Sequence, residues 1–158
     1  MPLRLTSPRY QDGQAMPRDL SCEGEELSPP LQWYDLPEGT VSLALVIEDP
    51  DAPDPAHPQR TFTHWVVYNL PPNAAGLEQG AASDGLPAGA AHGRNDWGNT
   101  DYGGPCPPIG RHRYIHRLYA LDTKLETLDA PTRQELQDAM SGHILEEADL
   151  VATYEKGH

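Results

Sequence analysis

Two segments join titratable side chains to stiff backbone: Asp49-Pro50-Asp51-Ala52-Pro53, and Gly103-Gly104-Pro105-Cys106-Pro107-Pro108-Ile109-Gly110-Arg111-His112-Arg113-Tyr114. Proline fixes φ and removes a donor, while glycine permits close approach, so such mixtures hold a loop in one shape at low side-chain volume. With His64 of Thr63-His64-Trp65 added, the chain offers imidazoles, a phenol and carboxylates for one site. A carboxylate beside a histidine raises the imidazole pKa, and a hydrogen bond through one ring nitrogen aims the other at a ligand. Tyr114 adds an O–H donor, and Gly103-Gly104 offer backbone N–H groups with no Cβ in the way. Pro105, Pro107 and Pro108 supply wall without competing donors. The set suits a phosphate, sulfate or carboxylate head group. Asp49 then serves to orient a histidine, since two bare anions in contact repel.

Each residue also has a plainer role. Asp49 and Asp51 form turns as Asp-Pro dipeptides do, His64 and His112 serve as core or strand-end histidines, and Trp33, Trp65 and Trp97 pack. Arg113, on the strand face opposite His112, pairs or is solvated rather than touching ligand. Acid–base hydrolysis by Asp49 with His112 or His64 is the enzymatic alternative. It lacks a nucleophile: no serine sits in an elbow context, and Cys106 is clamped between Pro105 and Pro107. His64, His112 and Asp49 match no local metal-ligand spacing, so neither metal nor cofactor is expected. The combination favours a binding site.

Three strands are expected to position these groups: Val41–Glu48, continuous enough to be buried; Thr63–Asn69, ended by Pro71-Pro72; and Arg113–Leu121. Asp49 and His112 then fall at strand boundaries. Alternation puts His112, Tyr114 and His116 on one face of their strand, and His64, Val66 and Tyr68 on one face of theirs. The stretch from Leu70 to Thr100 is a long loop, either plain surface or a lid, with Asn95-Asp96-Trp97-Gly98 its distinctive piece. Thr132-Arg133-Gln134-Glu135 is a capping box opening a helix with Leu136, Met140 and Ile144 on one face, which Gly142 kinks or breaks. Asp149–Glu155 returns to strand composition. Many short strands with few helices make a mainly β sandwich or meander.

The 158 residues suit one domain over 1–158. Eleven Lys and Arg against 24 Asp and Glu leave a net charge of -13, which repels nucleic acid and anionic membranes. No run reaches the ~20 apolar residues of a membrane span. Met1–Leu20 lacks the apolar core of a secretory signal, so a cytoplasmic protein is expected. Cys22 and Cys106 match no zinc or redox spacing; they read as two isolated thiols, with a disulfide the alternative.

The two signature segments, together with Ser28-Pro29-Pro30-Leu31-Gln32-Trp33, Thr63-His64-Trp65, Asn95–Gly98, Met140–His143 and Thr153-Tyr154-Glu155, resemble the phosphatidylethanolamine-binding protein family, in its bacterial Raf-kinase-inhibitor-like branch. The resemblance implies a mainly β sandwich of Greek-key-like topology with one or two short C-terminal helices, and a small pocket that accepts phosphate, acetate or phosphorylethanolamine-like groups. Its pocket residues fall on Asp49, Pro53, His64, Gly104, Pro105, His112 and Tyr114, with Asp51 structural behind them and a cis bond at Ala52-Pro53. It implies a non-enzymatic binding protein and a homodimer, with inhibition of a protease or kinase through surface loops as the alternative. The chain departs from eukaryotic members at Phe62, where they carry Trp, and at its end, where His158 follows a strand-like segment instead of a helix over the pocket mouth. Their lipid- and kinase-binding roles do not transfer.

Overall fold

The computed structural model describes residues 2–126 and 128–156; residue 127 and the chain ends, including His158, lie outside it. Two sheets face each other. Strands β1 (Arg4–Thr6), β2 (Leu31–Tyr34) and β5 (Gly76–Leu77) form one, in the order β1-β2-β5. β3 (Ser42–Ala52), β4 (Arg60–Leu70), β6 (Ala91–His92), β7 (Arg111–Leu121) and β8 (Ile144–Glu155) form the other, in the antiparallel order β6-β4-β3-β7-β8. The architecture is the mainly β sandwich expected, with order departing from sequence as in a Greek key. Short helices α1 (Ala81–Asp84) and α2 (Arg133–Met140) complete it; only α2 lies toward the carboxyl end.

The central strand β3 is continuously apolar because both its faces are covered. Leu43, Leu45 and Ile47 join Leu5, Leu31, Trp33 and Leu118 between the sheets, while Ala44 and Val46 pack with Leu136 and Met140 of α2 on the outside. Removing such side chains from water contributes about 25 cal/mol per Å². Thr132 closes the predicted capping box: its hydroxyl accepts from Glu135 N, and Glu135 accepts from Thr132 N. The Arg133 guanidinium also reaches the buried Glu48 carboxylate, 3.3 Å away, which Arg117 pairs at 2.7 Å. Ile144 does not extend the helical face. The helix ends at Met140, Gly142 takes a left-handed φ of 83°, and Ile144 opens β8 with 40% of its surface exposed.

Three irregularities interrupt the β3–β4 pairing, one between Leu43 and Leu45 and two near the site. Ile47 opposes Trp65 while Glu48 opposes Thr63, so β4 carries one extra residue, His64. That bulge turns His64 away from the side of Val66 and Tyr68, which pack under α2, and sets its ring against Tyr114 with centroids 5.1 Å apart. The other register shift near the site lies between Asp49 and Ala52. It accommodates Pro50 inside the strand, so Asp49 sits within β3 rather than at its boundary.

Candidate functional site

At one end of the five-stranded sheet lies a cavity of about 380 Å³. Asp49 and Pro53 reach it from β3 and the turn after it, His64 from the β4 bulge, and His112 and Tyr114 from alternate positions of β7. Ala52 lines it too, joined to Pro53 by a cis peptide bond. Gly104 and Pro105 lie outside this wall. The Gly104 N–H donates to Glu26 Oε2 at 3.0 Å, the Gly103 N–H to the His64 carbonyl at 3.1 Å, and the Pro105 carbonyl accepts from Cys22 N. The glycine amides expected to meet a ligand are therefore spent inside the fold. Their small size has another use: a Cβ on Gly103 would collide with the Trp97 ring, and one on Gly104 with the Leu20 carbonyl.

The two histidines differ. His112 Nδ1 lies 2.5 Å from Asp49 Oδ2, and its Nε2 lies 2.9 Å from the Ile109 carbonyl. Each ring nitrogen therefore faces a partner inside the fold, and neither is aimed into the cavity. Asp49 is equally engaged, its Oδ1 accepting from Asp51 N at 2.7 Å. His64 donates from Nδ1 to the Gly103 carbonyl at 2.9 Å, and its Nε2 makes no hydrogen bond among the described residues. Burial lowers the His64 pKa, and the attraction of Asp49 and Asp96 is the smaller effect. The raised imidazole expected from a neighbouring carboxylate is thus reversed at His64. The Tyr114 hydroxyl is buried and makes no close hydrogen bond among the described residues; burial, the charges of Asp49 and Asp51, and a longer contact with the Asp49 carboxylate push its pKa far above the phenol range.

Asp51 holds the strand behind the site. Its Oδ2 accepts from Arg113 N and Nε, and its Oδ1 from Arg113 Nη2, all within 3.0 Å, and this pairing lowers its pKa. Arg113 faces away from His112, as alternation requires.

Cys22 and Cys106 form a disulfide, so the reading of two isolated thiols is corrected. The structure brings their Cα atoms to 5.4 Å across 84 residues of sequence, a juxtaposition no local spacing reveals. Cys106 is itself part of the cavity wall. The segment it pins supplies the acceptor carbonyls of both pocket histidines, Gly103 for His64 and Ile109 for His112.

Sequence reasoning missed the mouth. Arg60, Phe62 and Trp97 line it, with the Arg60 guanidinium 4.7 Å from the Phe62 ring centroid and Trp97 edge-on to both Phe62 and His64. Trp97 is fixed by its turn: Asn95 Oδ1 accepts from Trp97 N and Asn99 N, and Asp96 bonds both backbone groups of Thr63. The long Leu70–Thr100 stretch is therefore tied down at the site, with β5, α1 and β6 along its length. Arg60 carried a faint signal, as a cation at the end of a proline-rich turn. Trp97 carried none that separates it from packing.

A two-sheet sandwich with an Asp–His pair, a second histidine and a tyrosine around an end cavity defines a class of β-sandwich protein. A model described as phosphatidylethanolamine-binding protein matches residues 6–155. A UPF0098 protein from Methanothermobacter thermautotrophicus is 43% identical over 156 residues, covering 98% of this chain and 100% of that one. The phosphatidylethanolamine-binding protein homologue CT736 of Chlamydia trachomatis superposes with a TM-score of 0.89 at 39% identity, covering 98% of each chain. E. coli YbcL, described as a member of the mammalian family, superposes at 0.88 with 32% identity, covering 98% of this chain and 99% of its own. The chain belongs to the phosphatidylethanolamine-binding protein family.

Proposed function

We propose that this chain, folded as a single domain, is a non-enzymatic binding module whose end cavity takes a small oxyanionic or phosphorylated head group. The observation that carries the reading is a buried Tyr114 hydroxyl without a close hydrogen bond on the wall of a cavity whose one Lys or Arg, among the described residues, is Arg60. An unsatisfied buried donor costs about 1–3 kcal/mol, which a ligand oxygen recovers. Arg60 makes no salt bridge among the described residues, so its charge is available at the mouth. Hydrolysis is disfavoured because His112 and Asp49 are consumed by internal hydrogen bonds and Cys106 is oxidised. The test is an NMR titration of the histidine ring resonances with inorganic phosphate and phosphorylethanolamine, alongside Arg60→Ala. Saturable shifts at His64, weakened severalfold by Arg60→Ala, are expected; no shift at millimolar ligand overturns the reading.

Recognition of a protein partner is the second reading, and it is favoured by Trp97 and Ile109, 47% and 55% exposed. They offer an apolar contact of the kind an inhibited protease or kinase would bury. A solved fold neighbour is a carboxypeptidase Y inhibitor complexed with its proteinase, 20% identical to this chain. A homodimer completes the proposal, and light scattering tests it. The cytoplasmic expectation carries over as a proposal, with the Cys22–Cys106 bond as the observation against it, because cytosolic thiols are normally kept reduced. Alkylation of intact cells before lysis distinguishes the two.

A further inference from the structure

Resting on the oxyanion reading above, we propose that the cavity selects oxyanions that carry a proton: it takes the hydrogen-bearing form of a phosphate monoester or inorganic phosphate, and rejects sulfate and phosphodiesters.

The argument is a count of donors and acceptors facing the ligand. The polar groups near the site that could donate are already committed: the His112 ring nitrogens to Asp49 and Ile109, and the backbone amides of Gly103, Gly104, Asp51 and Arg113 within the fold. Among the described residues that line the interior of the cavity, one donor is left, the Tyr114 hydroxyl. Against it stand the His64 Nε2 lone pair and the negative charge of Asp49, whose two oxygens each already accept one bond within the fold and have only lone pairs left to turn to the cavity. Nε2 is a lone pair because Nδ1 must donate to the Gly103 carbonyl and the buried ring stays neutral.

A fully deprotonated oxyanion would set lone pairs against both acceptors and receive a single hydrogen bond. A hydrogen-bearing one reverses the worst contact: its O–H donates to His64 Nε2 while a bare oxygen accepts from Tyr114. Arg60 at the mouth balances the remaining charge. The charged and titratable groups around His64 are Asp49 on β3, His112 and Tyr114 on β7, Asp96 in the Trp97 turn, and Arg60 on its own strand. The inner ones are acidic or spent, so none supplies the free N–H a dianion needs. Size is not the discriminator, because about 380 Å³ holds any of these ions. A diester has no proton to give, so a phosphate linked on both sides, as in an intact phospholipid head group, is excluded on the same ground as sulfate.

The experiment uses the disulfide-bonded chain and four probes: methyl phosphate, inorganic phosphate, dimethyl phosphate and sulfate. Binding is read by calorimetry and by the His64 ring resonances. At pH 7 the first two bind, and the last two bind at least about a hundredfold more weakly, as expected where a site's polar group is left unmatched. Methyl phosphate affinity falls about fiftyfold from pH 6 to pH 8, following a second ligand pKa of about 6. His64→Gln, whose amide N–H can turn to the ligand, raises sulfate relative to phosphate. Equal binding of sulfate and phosphate, or an unchanged ratio in His64→Gln, overturns this inference and leaves the oxyanion reading standing. Silence from all four probes overturns both.

Discussion

His112 donates to Asp49 across 2.5 Å, and the pair joins β7 to β3 with both side chains less than 5% exposed. The contact is as much a strut of the sandwich as a feature of its cavity, because neither partner has an unused ring nitrogen or an unbonded carboxylate oxygen.

His112→Ala should therefore show itself first in stability. Removing one member of a buried hydrogen-bonded pair costs about 3–5 kcal/mol, since it strands the other. Urea unfolding is expected to register that loss, and Asp49→Asn, which keeps an acceptor oxygen, a smaller one. A loss in His112→Ala below about 1 kcal/mol would mean the pair is solvated in solution.

Reduction should loosen the same region. The Cys22–Cys106 bond closes a long loop, and its removal is expected to cost about 4 kcal/mol through the freedom returned to the unfolded chain. Denaturation with and without dithiothreitol, and of the Cys22→Ser, Cys106→Ser double variant, measures this. Coincident curves would rule out a contribution from the disulfide.

His116 gives the protein an acid-sensitive core. It is wholly buried, donates to the Tyr114 carbonyl and accepts from the Tyr10 hydroxyl, and burial lowers its pKa to about 4. The unfolded chain takes up a proton near pH 6.5 and the folded one only near 4, so the unfolded state holds more protons in that window and stability rises with pH there. Stability should fall by about 3 kcal/mol from pH 7 to pH 4 on this account. His116→Gln, less stable at pH 7, is expected to show a shallower slope; an equal slope would assign the effect to other groups.

Asp51 works in the opposite sense. Its pKa is lowered by Arg113, so its contribution is complete above the ordinary carboxylate value and disappears as pH falls through the lowered folded value. Arg113→Ala is expected to destabilise by about 1 kcal/mol at pH 7, since the guanidinium is largely exposed. The difference from the parent should close once the pH lies below the lowered Asp51 value. A difference that persists in acid would point to lost packing instead.

The sandwich was legible because its signals are periodic and local. Leu43, Leu45 and Ile47 alternate with Ala44 and Val46, and a strand apolar on both faces must be central. Thr132 and Glu135 mark a helix start within four residues. Asp49, His64, His112 and Tyr114 could be named because their types and proline-rich settings are unusual in plain strands. The face of His64 could not be read, because a bulge is a property of two paired strands, and nothing in β4 alone says where its partner skips a residue.

By itself, then, the sequence determined the mainly β class, the capped helix, and the residue types able to meet an oxyanion, since backbone preference and hydrophobic period act within a few residues. Only the tertiary structure decided which nitrogens remain free. His112 lost both of its own to Asp49 and Ile109, Gly104 lost its amide to Glu26, and Cys106 its thiol to Cys22, while His64 Nε2 and the Tyr114 hydroxyl were left open. Hydrogen bonds saturate, so the partners that long-range folding brings within 3 Å of a polar atom settle what that atom can still offer a ligand.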